Sequence, residues 1–136
     1  MAVPIPDAFR DLLDEPVVVA LVTIMADGQP QATPVWVDYD GTYVRVNTAR
    51  GRQKDKNMHQ DSKVTVLAID PKDSGRWMEI RGRVAEETEV GALEHINALS
   101  AKYDGEPDFY AKNPAMRGKQ QRVTYKIEPL RVNTSK

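Results

Sequence analysis

The sequence predicts a mainly β protein, a six-stranded antiparallel barrel with a few short helices at its margins. Three observations predict it. Runs of strand length and β character recur at Val17 to Met25, Gln31 to Tyr39, Thr42 to Thr48, Lys63 to Asp70, Trp77 to Glu86 and Arg122 to Val132. Two Asp-Gly pairs, Asp27-Gly28 and Asp40-Gly41, separate the first three runs and supply the positive φ angles of tight hairpins. One long helical period interrupts the pattern, at Val90, Leu93, Ile96, Leu99 and Tyr103. Closing hairpin-linked strands into a barrel hides sheet edges that would otherwise pair with other chains.

The elements follow in order. Phe9, Leu12 and Leu13 recur at helical spacing after Pro6-Asp7, so the chain opens on a short amphipathic helix that Pro16 ends. Val17 to Met25 carries no charge and reads as a strand covered on both faces. Pro34 removes one ladder donor from Gln31 to Tyr39. After Thr48 the chain enters a loop and a short helix ending near Asp61-Ser62, and Pro71 to Gly75 turns it again. In the next strand Trp77, Glu79 and Arg81 share one face and Met78 and Ile80 the other, with Gly82 at a bulge or a close backbone contact. Asp104-Gly105 closes the long helix, Glu106 to Gln120 reads as an irregular loop, and Pro129 implies a strand edge or end.

Length and composition bound the function. At 136 residues the chain reads as a single domain, 1–136, with room for a real core. Its 19 Lys and Arg balance 20 Asp and Glu, which argues against general attraction to nucleic acid or an acidic membrane. Any anion site must be local. The absence of Cys removes disulfide, thiolate and zinc-thiolate chemistry and suits a reducing compartment. No signal sequence opens the chain and its longest apolar run is too short to span a bilayer, so a cytoplasmic protein is expected. His59 and His95 show no ligand spacing, so no metal site is expected, and no Gly-x-Ser-x-Gly elbow occurs. Glu86, Glu87 and Glu89 read as a solvated acidic patch at a helix start.

Three stretches carry candidate chemistry. In Asn47-Thr-Ala-Arg-Gly-Arg-Gln-Lys-Asp-Lys-Asn57, the cations Arg50, Arg52, Lys54 and Lys56 crowd together. They read either as a solvated helix start softened by Asp55 and Asp61, or as an anion cradle. Gly51 permits a turn that aims N–H groups at an anion, the following helix points its positive end the same way, and Thr48 adds a hydroxyl. Thr33-Pro34-Val35-Trp36 is either an edge strand with Trp36 in the core or a backbone track beside a flat indole. The face holding Trp77 is open to solvent, a dimer contact or a site wall.

Taken together, Ala32-Thr33-Pro34-Val35-Trp36, Val46-Asn47-Thr48, Gly51-Arg52-Gln53-Lys54, Asn57 and Trp77-Met78-Glu79-Ile80-Arg81-Gly82 resemble the split β-barrel flavin and deazaflavin oxidoreductases. More narrowly, the chain is similar to small F420-dependent enzymes grouped beside pyridoxamine 5'-phosphate oxidase. The resemblance spans nearly the whole length. It implies a homodimer with two cofactor sites at the subunit interface, and transfer of a hydride from reduced coenzyme F420 to an electron-poor small organic substrate. It implies that Thr33, Pro34, Val35 and Trp36 lie along the ring, that Asn47, Thr48, Gly51, Arg52, Gln53 and Lys54 hold the phosphate, and that Trp77 and Met78 stand near the ring. Arg50 or Lys56 would meet the acidic tail of F420. Two positions depart from the family's pattern: Asp38 stands where related oxidases tend to carry a Lys, and Ser62 where a Pro is frequent. The alternatives are an FMN-dependent oxidase or reductase on the same barrel, a non-catalytic protein binding a flavin or tetrapyrrole, and an RNA-binding barrel using Arg50 to Lys56 with Trp36.

Overall fold

The computed structural model describes residues 1–136. Its centre is one antiparallel sheet of seven strands: β1 (Val19–Ile24), β2 (Pro30–Val35), β3 (Asp38–Tyr39), β4 (Val44–Ala49), β5 (Lys63–Asp70), β6 (Asp73–Thr88) and β7 (Arg122–Thr134). Their spatial order is β2-β1-β5-β6-β7-β4-β3. Helices α1 (Asp11–Asp14), α2 (Gln53–Gln60) and α3 (Ala92–Asp104) flank it, with single 3-10 turns at Asp7–Phe9, Phe109–Lys112 and Pro114–Met116. The expected irregular loop therefore contains two ordered turns.

The seventh strand comes from a break in one expected strand. The run from Gln31 to Tyr39 divides at Trp36-Val37 into β2 and β3, which are the two outer members of the sheet. Because those outer strands are consecutive in the chain, the sheet must curl to bring its edges to a common bend. Buried backbone groups at such a bend need partners from elsewhere. Helix α3 provides them: the Tyr103 hydroxyl accepts from the Val37 N–H at 3.1 Å and donates to the Val17 carbonyl at 2.7 Å, while Lys102 Nζ donates to the Val37 carbonyl at 2.7 Å. Lys102 Nζ also reaches the Leu13 carbonyl, fixing α1 to the same bend.

The concave face holds the core. Alternation along β1, β4 and β7 turns Val19 and Leu21, Val44 and Val46, and Val123, Tyr125 and Ile127 inward against Met78, Ile80, Leu13 and Met58. The convex face is covered unevenly. Over β3, β4 and β7 lies α3, whose His95 is 5 % exposed and meets Thr124 and Asp38. Over β2, β1, β5 and β6 nothing lies, and Val18 and Ile69 are 54 % and 44 % exposed. The first apolar run is thus covered on one face within the chain, not on both.

Two details of β6 and β7 refine the expectations. Strand β6 starts at Asp73, so the turn before it is shorter than Pro71 to Gly75. Pro129 does not end β7, which continues to Thr134. It pairs with Gly82 beyond the reach of β4, whose ladder stops at Ile127. The register shifts at Gly82, where an added Cβ would stand 2.5 Å from the Glu128 carbonyl oxygen. Only glycine fits that approach.

Candidate functional site

The basic cluster separates into two groups with opposite fates. Arg50 is neutralised within the chain: its guanidinium donates to Glu89 at 3.0 Å, Asp55 at 3.0 Å and Glu87 at 3.1 Å. Burial opposes its charge, and these three carboxylates more than compensate, binding its proton more tightly. The acidic patch expected to be solvated is therefore a set of counter-ions, with Glu87 also engaging the exposed His59 at 2.9 Å. Arg50 is thereby taken out of the free charge expected to meet an acidic tail.

Asp55 organises the loop. Its carboxylate accepts from the Tyr125 hydroxyl at 2.6 Å, from Arg50, and from the Gly51 N–H at 2.9 Å, while Gly51 sits at φ 93°. Burial alone would raise the Asp55 pKa, but these hydrogen bonds and the Arg50 charge hold it below the usual carboxylate range. Burial, and then the hydrogen bond to the Asp55 carboxylate, push the Tyr125 phenol up against the opposing charge of Arg50. The chain is thus locked in the turn that delivers Arg52 to the start of α2.

At that start charge is left over. Arg52 is the N-cap of α2 and makes no side-chain cap, leaving the N–H groups of the first turn without an intrahelical acceptor. Lys54 is half-buried, and its pKa is lowered first by burial and then by repulsion from Arg52 and Arg122. Arg122 is 5 % exposed, and burial followed by the Arg52 charge lowers its pKa, partly offset by Tyr110. None of the three cations belongs to an ion pair. Burying positive charge against positive charge is costly unless an anion offsets it. The donor set, guanidinium, ammonium and helix N–H groups, matches a phosphate.

Other expected site residues are distributed differently. Asn47 does not point at open space: its Oδ1 accepts from Arg122 Nε at 2.9 Å and its Nδ2 donates to the Ala92 carbonyl at 2.8 Å. Thr48 turns inward, and its buried Oγ1 has no hydrogen-bond partner. The Gln53 side chain donates to Asn57 at 2.7 Å, and Asn57, 1 % exposed, spends its amide on Thr23 at 3.0 Å and Gln31 at 3.2 Å. Asn57 therefore ties α2 to β1 and β2 and is closed to a ligand. Gln53 retains its backbone N–H for one.

The expected ring track is also divided. Thr33 and Pro34 line an apolar hollow of about 370 Å³ with Val18, Ala20, Leu67 and Ile69 on the uncovered convex face. Trp77 lines an adjoining hollow of about 440 Å³ that shares Leu67 and Ile69. Val35, 8 % exposed, and Met78, 0 % exposed, belong to the core, so neither side chain faces either hollow. Trp36 turns toward α3, its ring stacked on Tyr103 at 5.2 Å and 12° and meeting the edge of Phe109 at 6.1 Å. Asp38 is held by Arg45 through two 2.8 Å bonds and by His95 at 3.2 Å. Burial would raise its pKa, and those bonds lower it overall.

Arg122 is the site residue that the sequence reading missed. It lies cross-strand from Ala49 in the β4–β7 ladder, a neighbour only once that register is known. The Arg50 N–H, bonded to the Gln121 carbonyl at 2.8 Å, continues the pairing into the cradle.

Comparison with known proteins agrees with the architecture. A family model described as pyridoxamine 5'-phosphate oxidase matches residues 5–136. Among solved structures, an F420 reductase is 28 % identical with a TM-score of 0.81, covering 95 % of this chain and 98 % of its own. A conserved hypothetical protein of Mycobacterium tuberculosis is 24 % identical with a TM-score of 0.77, covering 98 % and 86 %. A putative pyridoxamine 5'-phosphate oxidase of Listeria innocua is 22 % identical with a TM-score of 0.63, covering 86 % of each chain. No curated protein matches. The family match along almost the entire length, on a curled antiparallel sheet shared with these structures, shows that the chain belongs to the pyridoxamine 5'-phosphate oxidase family.

Proposed function

We propose that the protein is a cytoplasmic, homodimeric F420-dependent reductase acting on an electron-poor small organic substrate such as an activated alkene or conjugated carbonyl. The observation that carries this reading is the half-buried, unpaired positive charge of Lys54 beside Arg52 and the buried Arg122 at the bare start of α2. In this family's fold, and with an F420 reductase among the similar structures, that charge fits the phosphate of a planar redox cofactor. Reduced F420, when bound, supplies a hydride to the acceptor carbon, and a proton from water completes the reduction.

The chain's own residues bind, orient and exclude water. Lys54, Arg52 and the first N–H groups of α2 hold the phosphate. Asp55 fixes the loop that presents them. The uncovered face of Thr33, Pro34, Leu67, Ile69 and Trp77 supplies an apolar wall. A second copy seated on that face would remove its exposed apolar side chains from water, which supports the dimer. An FMN-dependent enzyme is the second reading, because the cradle recognises a phosphate whichever ring is attached.

Incubation with reduced F420 and a panel of activated alkenes and conjugated ketones tests the proposal. The expected result is acceptor-dependent oxidation of F420 that falls at least tenfold in Lys54→Ala at subsaturating cofactor, on the scale of one charged hydrogen bond, about 1.5–3 kcal/mol. Turnover with reduced FMN and none with reduced F420 would transfer the assignment to the flavin reading.

A further inference from the structure

We propose that Arg122 is a third anion-binding residue of the cradle, holding the phosphate together with Arg52 and Lys54, and that Gln120 and Asn47 position it. This inference rests on a phosphate-binding cradle but not on which ring carries the phosphate. The guanidinium meets only neutral groups: Nε donates to Asn47 Oδ1 at 2.9 Å, Nη1 donates to Gln120 Oε1 at 3.3 Å, and the carbon lies 5.1 Å from the Phe109 ring centroid. Gln120 Oε1 also accepts from the Tyr110 hydroxyl at 2.9 Å.

This is an unusual way to bury an arginine. At 5 % exposure most of its hydration is lost, and a structural arginine at that depth would be expected to face a carboxylate, as even the less buried Arg50 faces three. Arg122 instead sits among cations, with its orientation set by amides that direct the fork without spending its charge. A recess of about 200 Å³ lies on the far side of Gln120 and Phe109, bordered also by Arg52 and Tyr110 and by the charged Asp104 and Lys112, and Arg122 itself does not line it. Burial, neutral positioning groups and a fixed fork suit a residue whose counter-ion arrives with the ligand.

Gln120 offers a test in which binding and stability move in opposite directions. Gln120→Glu is nearly isosteric, preserves both hydrogen bonds and supplies the missing carboxylate inside the chain. If Arg122 awaits a ligand anion, this variant unfolds at a higher temperature than wild type without ligand and gains less stability from inorganic phosphate. Arg122→Gln should weaken phosphate-dependent binding by about tenfold to a hundredfold, and Arg122→Lys should restore part of it. The exposed Lys63→Gln serves as the charge control.

The readouts are thermal unfolding against inorganic phosphate and the ratio of FMN to riboflavin affinity, which isolates the phosphate from the ring. Phosphate stabilisation that depends on Arg122, with no binding of F420 or FMN, supports the inference while contradicting the reductase reading. Cofactor binding whose phosphate dependence is unchanged in Arg122→Gln and Gln120→Glu overturns the inference and leaves the reductase reading intact. Absence of both phosphate stabilisation and phosphate-dependent cofactor binding overturns it as well.

Discussion

Replacing Asp55 by Asn should cost about 2–3 kcal/mol of folding stability at neutral pH, and the cost should shrink on acidification. The carboxylate accepts three hydrogen bonds, with one oxygen serving Tyr125 and Arg50 and the other serving the Gly51 N–H. An asparagine has one acceptor oxygen, so in either orientation its amide nitrogen faces a donor. With its oxygen toward Tyr125, the Gly51 N–H loses its partner. With its oxygen toward Gly51, the nitrogen faces Arg50. Leaving one such group unsatisfied costs about 1–3 kcal/mol, and loss of the charge on the Arg50 contact adds to it. The side chain is 9 % exposed, so solvent screening offsets little of this. The pH sign follows from the lowered Asp55 pKa. Its contribution is fully present above the ordinary value of 3.8 and is lost as pH falls through the lower folded-state value. Urea unfolding of both proteins from pH 7 down to about pH 3 measures the difference. A cost below about 0.5 kcal/mol at pH 7, or one independent of pH, would refute the argued role of Asp55.

Gly82→Ala places a Cβ 2.5 Å from the Glu128 carbonyl oxygen and 2.8 Å from Ile127 Cγ2, so thermal unfolding should reveal a loss of about 1–3 kcal/mol; wild-type stability would contradict the close approach of β6 and β7. Ile69→Glu puts charge on the uncovered face at a 44 % exposed position, so if the proposed dimer forms through that face, sedimentation should show a dimeric wild type and a monomeric variant with an unchanged circular dichroism spectrum. A variant that remains dimeric would exclude this face as the subunit contact.

The legible parts of the fold are those governed by local chemistry. The Asp40-Gly41 turn, the alternation that sends Trp77 outward and Met78 into the core, and the glycine at the β6 bulge each depend on residues close in sequence. The break at Trp36-Val37 was not legible, because its backbone partners are Lys102 and Tyr103 on a distant helix. The same limit divided the basic cluster. Spacing revealed the crowding of Arg50, Arg52 and Lys54, but which charge remains free depends on Glu87 and Glu89 folding back onto Arg50 and on β7 bringing up Arg122. Asn57 has the composition of a ligand residue, and only packing reveals that Thr23 and Gln31 consume its amide.

The proposed function requires the cradle to bind the phosphate of a planar redox cofactor. Its most direct test is fluorescence titration of wild type and Lys54→Ala with F420, FMN and riboflavin at two salt concentrations. A phosphate-binding cradle gives tight F420 binding that weakens at least tenfold in the variant and weakens with salt, and FMN binding that exceeds riboflavin binding. Riboflavin binding equal to FMN, or F420 affinity indifferent to Lys54, would contradict it.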